Sequence, residues 1–275
     1  MKKIIIPAIL IINLIAGCRK DVDLSPVDKK IVVNAQISPT DDSIKVNLQY
    51  SKTLNAITKI ENDFSDATVT LSDGVTSRIL TGNPKKGLFF ILQSDFKLIP
   101  GKAYFLKVND GHNREITAGT TIPFAVTNAV YTILNEVRVG KNLARYSNKF
   151  EFTDQLNQVQ RYRFYSEIKE TGSSQDVFYG NQLEERKIPV NQSSFIMENT
   201  VDYIAYNSPV YRNGYFITCS EEYYKLYKNL TGIDGNNLPG FTNESANIYT
   251  NINGGLGIFA GYNLVKLAGK PATDQ

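Results

Sequence analysis

From Ile31 to Ile116 the chain places apolar and polar residues in short alternating runs broken by turn-forming residues. Ile31–Ile37 is β-branched and stops at Ser38-Pro39-Thr40-Asp41-Asp42. Ile44, Val46, Leu48 and Tyr50 then alternate with Lys45, Asn47, Gln49 and Ser51, a period of two that puts apolar side chains on one face of a strand. Thr68–Leu71 leads into the turn Ser72-Asp73-Gly74, and Arg78–Leu80 returns from it. Gly87-Leu88-Phe89-Phe90-Ile91-Leu92 is apolar throughout, which predicts a fully buried strand. Pro100-Gly101 turns into Ala103–Val108, and Asp110-Gly111 turns again into Glu115–Ala118. About seven strands with no helical stretch between them predict an antiparallel sandwich of the immunoglobulin or transthyretin type.

After Thr121-Ile122-Pro123 the pattern restarts. Ala125–Leu134 and Lys149–Asp154 predict two strands. Arg161–Lys169 predicts a third, with Tyr162, Phe164, Ser166 and Ile168 on one face and Arg161, Arg163, Tyr165, Glu167 and Lys169 on the other. Thr171–Ser174 reads as a turn, and residues 175–200 are weakly patterned, mostly loop with short strands. Asp202–Tyr206 and Gly214–Cys219 look extended. One helix is predicted near 221–231. Ser220 can cap it, Glu221 and Glu222 suit its positive end, and Tyr223, Leu226, Tyr227 and Leu230 recur at helical spacing before Gly232. Those tyrosines read as core contacts against a sheet rather than as a ligand-stacking stripe.

The start of the chain follows a different rule. Lys2 and Lys3 precede Ile4-Ile5-Ile6, Pro7 and Ala8–Ile12, and the stretch closes with Ile15-Ala16-Gly17-Cys18. A basic start, a short apolar core and a small-residue cleavage site make a secretory signal, and the core falls short of the ~20 apolar residues that span a bilayer. An aliphatic-small-small triplet before a cysteine resembles the bacterial lipobox, which implies cleavage before Cys18 and a diacylglyceryl group on its thiol. The competing reading is an ordinary secreted chain. Residues 1–17 are then the signal peptide, 18–28 a tether, 29–123 the β-sandwich domain, 124–269 a second β-rich domain carrying the helix, and 270–275 a tail. Cys18-Arg19-Lys20-Asp21-Val22-Asp23 also resembles a short charged surface-export signal, or is an arbitrary polar tether.

Composition narrows the chemistry. With 42% hydrophobic and 21% charged residues the chain should fold. Loss of Lys2 and Lys3 leaves 28 basic against 27 acidic residues, a net of +1, and there is no basic run to bind nucleic acid. Beyond Cys18 the single cysteine is Cys219, in an apolar-leaning stretch that predicts a buried, inert thiol. The single histidine, His112, falls in the Asp110-Gly111 turn, so neither a catalytic triad nor a zinc site of the usual type is expected. Asp234-Gly235-Asn236-Asn237 has the flavour of a calcium loop but lacks the downstream glutamate. Asn191, Asn229 and Asn243 head Asn-x-Ser/Thr triplets, which mean little if the chain is bacterial. Gly255-x-Gly257-x-x-Ala260 matches a dinucleotide fingerprint in letters only. Its flanks read as strand, so the glycines are expected to allow a bulge and close backbone approach. No cofactor or metal is expected. The tryptophan count is zero, against 16 tyrosines and 14 phenylalanines, which weakens a sugar-stacking reading without removing it.

The lipobox, the β-rich first half ending in Thr121-Ile122-Pro123, the aromatic strand after Phe152-Thr153-Asp154 and the terminal Asn251-Ile252-Asn253-Gly254-Gly255-Leu256-Gly257-Ile258-Phe259 together resemble one family. It is the Bacteroidetes lipoprotein family called domain of unknown function 4249, over roughly residues 29–268. One departure is Gln155, where proline is expected. The resemblance implies an envelope lipoprotein often encoded near a TonB-dependent outer-membrane transporter, and it carries over no catalytic residue. The expectation is therefore a non-enzymatic binding or accessory protein, lipid-anchored through Cys18 in the outer membrane with the cell-surface side preferred. Its ligand is left open, and its expected partners are the membrane and the transporter. A structural or adhesion lipoprotein is the alternative. A third reading is a hydrolase built on carboxylates alone, with Asp154 or Glu184-Glu185 as candidates. Adjacent glutamates on a strand would face opposite ways, so that pair reads as a solvated loop.

Overall fold

The alternating runs become strands. A computed structural model describes residues 29–51, 63–138, 143–153, 159–170, 177–187, 193–202, 210–233 and 248–271. The first half contributes β1 (Ile31–Ile37), β2 (Ser43–Tyr50), β3 (Thr68–Ser72), β4 (Ser77–Ile79), β5 (Thr81–Asn83), β6 (Leu88–Leu92), β7 (Ala103–Asn109) and β8 (Glu115–Thr121). The second contributes β9 (Thr127–Arg138), β10 (Leu143–Thr153), β11 (Val159–Glu170), β12 (Val177–Lys187), β13 (Ser193–Asp202), β14 (Val210–Cys219), α1 (Glu221–Ile233), β15 (Leu256–Ala268) and β16 (Lys270–Pro271). The fold is all-β apart from this one helix among the described residues.

Three sheets result, ordered β12-β11-β14-β15-β1-β2-β6-β5, β13-β10-β9-β16 and β4-β3-β7-β8. The eight-stranded sheet draws strands from both sides of Pro123, where the restart of the sequence pattern predicts a boundary. Its splice is β15. Residues Leu256 to Gly261 pair in parallel with Val32 to Ile37 of β1, and Tyr262 to Ala268 pair antiparallel with Cys219 to Asn213 of β14. The strand also alternates. Phe259 joins a cluster with Val33, Ile37, Leu48 and Tyr104, whereas Ile258 and Ala260 point the other way, into a cluster with Ile217, Tyr223 and Leu226. Farther along, Val265 and Leu267 flank an aromatic cluster of Tyr131, Phe150, Phe152, Tyr162, Phe164 and Phe216. Phe216 packs edge to face with its neighbours there, with Phe164 at 4.7 Å and 90° and with Phe152 at 4.6 Å and 63°, while other ring pairs are tilted. Such pairs contribute about 0.5–1.5 kcal/mol each beyond burial. The Tyr131 hydroxyl is satisfied within this core by Ser166 Oγ at 3.0 Å.

Four expectations change. The Leu88–Leu92 run is not fully buried: Phe89 faces the core, while Leu88, Phe90 and Leu92 are 42–47% exposed. Residues 175–200 contain two long strands, β12 and β13, in place of loop. They are held by antiparallel register with β11 and β10 and not by an apolar pattern of their own. Glu184 and Glu185 therefore lie on β12, on opposite faces. The helix runs on to Ile233, so Gly232 sits in its last turn.

The glycine-dense segment makes the close backbone approach its composition predicts, while the register of β15 with β1 and with β14 runs without a bulge. Gly257 has φ +106, and a Cβ there would overlap the carbonyl oxygen of Val33 on β1. A side chain would have to strain the backbone and part the strands together. Gly257→Ala is expected to lower stability by ~3 kcal/mol or more in urea unfolding. Gly119→Ala, whose Cβ would sit at an ordinary 3.5 Å from Phe105, serves as the near-neutral comparison.

Candidate functional site

On β7 the residues alternate strictly: Tyr104, Leu106 and Val108 are buried and Ala103, Phe105, Lys107 and Asn109 face out. Phe105 is flanked across the ladder by Ser72 of β3 and Gly119 of β8. With no side chain at 119 to cover it, the ring lies over that glycine and is 51% exposed. Beyond β8, Ile122 plugs into the core and exchanges backbone hydrogen bonds with the turn at Gly101-Lys102, Gly101 N–H to Ile122 O at 2.7 Å and Ile122 N–H to Lys102 O at 3.1 Å. Phe124 then folds over Gly101, whose φ of +83 and missing side chain make the room, and remains 49% exposed.

The N-terminal end of α1 faces these rings. Ser220 caps it, its Oγ accepting the Tyr223 N–H at 3.2 Å. The Thr120 hydroxyl donates to the Glu222 carboxylate at 3.0 Å, and Thr120 Oγ1 itself accepts the Gly261 N–H at 2.9 Å. This relay ties the helix to β8 and β15 in one chain of hydrogen bonds. Arg161, at the start of β11, pairs with Glu185 at 3.2 Å and Glu221 at 3.6 Å. Lys225 hydrogen-bonds Glu221 at 2.5 Å and holds its carboxyl below the usual range, with Arg161 adding to the effect. Between the two walls lies an open recess of about 530 Å³, whose lining includes Phe105, Phe124, Val159, Arg161, Glu221 and Cys219.

A second recess, about 590 Å³, opens on the other side of the same ring, over β3, β7 and β8. Its far wall is the 251–253 segment. Asn253 and Thr117 exchange backbone hydrogen bonds at 2.9 and 3.1 Å, which adds a strand position beyond β8. Asn251 fixes that segment with its side-chain amide. Nδ2 donates to Gly119 O at 3.2 Å and Phe259 O at 2.7 Å, and Oδ1 accepts the Phe259 N–H at 2.9 Å. Phe105 and Gly119 line both recesses.

Few of the residues singled out from sequence converge on these recesses. Cys18, Asp154, Asn191, Asn243 and the Asp234–Asn237 loop lie outside the described residues. His112 is exposed in the β7–β8 turn, its N–H donating to Asp110 Oδ1 at 2.8 Å. Asn229 lies on α1, its Oδ1 accepting the Tyr249 N–H at 3.3 Å. Gly255, Gly257 and Ala260 lead into and run along a strand, with no helix behind them. Glu184 accepts from Gln182 at 2.7 Å while Glu185 bonds Arg161. Among the described residues no three His, Cys, Asp or Glu side chains are grouped to hold a metal. The helix tyrosines do pack on the sheet: Tyr223 and Tyr224 are buried, and Tyr227 takes the Arg163 guanidinium 3.7 Å over its ring while that group donates to Tyr223 Oη at 3.0 Å. Sequence patterning does not single out Phe105 or Phe124. The signal available is an aromatic on the otherwise polar side of a strand, and a phenylalanine directly after Pro123.

What the two recesses offer chemically is stacking on exposed rings and hydrogen bonding. Cys219, on the floor of the first, is buried, with Sγ 3.8 Å from Ile217 O, and burial pushes its thiol well above the ordinary range. A thiol held protonated reacts slowly. Ellman's reagent at pH 8 is expected to modify native Cys219 at least roughly 100-fold more slowly than the urea-unfolded chain, and equal rates would show that the floor is open.

Comparison with known proteins adds a family and little more. No curated protein matches the chain. Among solved structures, a cytokine receptor complex is 8% identical, covers 68% of this chain and 83% of its own, and has a TM-score of 0.24. Titin domains A168–A170 are 12% identical over 70% of this chain and 60% of theirs, with a TM-score of 0.23. CBD12 from CALX1.2 is 9% identical over 86% and 99%, with a TM-score of 0.19. Superpositions that poor transfer neither fold family nor function. The family model described as Domain of unknown function (DUF4249) matches residues 19–267, and the chain belongs to that family.

Proposed function

We propose that the protein is a lipid-anchored envelope protein, held in the outer membrane by acyl chains on Cys18. Its β-built body would act as a non-enzymatic binding or accessory module beside a TonB-dependent transporter, on the cell-surface side. The observation that carries the anchor is the order Lys2-Lys3, apolar core, Ile15-Ala16-Gly17-Cys18, with the family match opening one residue later at Arg19. No helix among the described residues is long and apolar enough to cross a membrane. Each buried methylene of an acyl chain contributes about 0.8 kcal/mol, so more than one chain gives lasting attachment. Fully extended, the tether 18–28 would reach roughly 35 Å, room for the body to stand beside a larger membrane protein.

Two supports bear on the binding role. The recesses around Phe105 are open, and their side chains suit reversible contact. The family resemblance supplies the transporter. Metabolic labelling with an alkyne analogue of palmitate is expected to tag the mature protein and to fail on Cys18→Ser, which should leave the membrane fraction. An unlabelled wild type, or a serine variant that fractionates unchanged, would overturn the anchor. Crosslinked pull-downs from the native envelope should recover a TonB-dependent transporter, and repeated recovery of none would overturn the accessory role alone.

A further inference from the structure

The recess over β3, β7 and β8 has a chemical character of its own. On its border with the first recess is the half-exposed ring of Phe105, held over Gly119. Thr70, Ser77, Thr117 and Asn253 share the lining, Thr70 and Thr117 flanking Lys107 at the next outward position of β7 after the ring, and their side chains make no hydrogen bond to another described residue. One charged residue, Lys107, lines the recess, and its ammonium is 2.8 Å from the Glu115 carboxylate, so the wall is close to neutral. The volume of about 590 Å³ falls within the roughly 300–1,000 Å³ of small-molecule sites.

Each candidate ligand class meets this wall differently. An anion would find a lysine already paired, and a cation would find no carboxylate on the lining. A purely apolar ligand would bury three hydroxyls and an amide without partners, which costs about 1–3 kcal/mol for each group left unpaired. A neutral ring carrying many hydroxyls satisfies both halves of the surface. Its C–H face meets the negative face of the Phe105 quadrupole, and its hydroxyls exchange hydrogen bonds with Thr70, Ser77, Thr117 and Asn253. We propose that this sheet face binds a neutral glycan, with one sugar ring stacked on Phe105. Because Phe105 also borders the recess containing Arg161, Glu221 and Glu222, a longer saccharide can continue past the ring.

This inference rests on reading the body as a binding module and is independent of the anchor, so a negative labelling result would leave it standing. The mature protein, purified in detergent, is titrated calorimetrically with maltohexaose, cellohexaose, xylohexaose and mannohexaose. At least one is expected to bind. Phe105→Ala should weaken that binding about 10-fold or more, and the isosteric Thr117→Val about 3-fold, while Phe90→Ala, an exposed ring on β6, should leave it unchanged. Thermal unfolding of each variant verifies its fold, and Thr117→Val carries the test if Phe105→Ala unfolds. Absence of heat with all four sugars up to about 10 mM would overturn the proposal. So would binding that ignores both Phe105→Ala and Thr117→Val, or binding seen only with sulfated or uronic oligosaccharides.

Discussion

The body depends on one pairing between sequence-distant strands. β15 lies against β1 through its first six residues and against β14 through its last seven, and its side chains enter all three hydrophobic clusters. The period of two explains how one strand serves three cores. Odd positions such as Phe259, Val265 and Leu267 face one side of the sheet, and even positions such as Ile258 and Ala260 face the helix. Remove this strand and the eight-stranded sheet separates into β12-β11-β14 and β1-β2-β6-β5. Closing it demands a contact across more than two hundred residues, a large loop-entropy cost that must be met before burial returns anything.

The candidate site hangs from the same strand. Asn251, just ahead of β15, clamps Phe259 and Gly119, and Gly261 donates to the Thr120 hydroxyl that in turn donates to Glu222. Both recesses around Phe105 are therefore walled by residues that β15 holds in place. A ligand bound there would bind the assembled fold and not the unfolded chain, and would stabilise it by mass action.

Much of this is legible in the sequence and some is not, for physical reasons. β1 and β2 announce themselves because one face is buried and the other wet, so letters alternate with the pleat. β6 misleads because Leu88, Phe90 and Leu92 are apolar yet lie near the sheet edge, beside the three-residue β5, where little covers them. β12 is hidden for the opposite reason: Asn181-Gln182-Leu183-Glu184-Glu185-Arg186 carries a single apolar residue, Leu183, too little for a pattern, and its extension comes from pairing with β11. Ser220, Glu221 and Glu222 read as a helix start because capping is local chemistry, and the helix begins there. At Gly254–Gly257 composition signals close approach, but which backbone approaches is a long-range fact that no local pattern encodes. Phe105 stays hidden because a strand with aromatics on both sides does not say which one is covered.

The role of β15 can be read amide by amide. Native-state hydrogen exchange across a denaturant series should show Val33, Ala35 and Ile37 of β1 and Ile258 and Ala260 of β15 opening together, with one free energy equal to that of global unfolding. If the β15 amides exchange through a cheaper local opening while β1 stays protected, the strand is an addition to an already stable sheet and does not hold the body together.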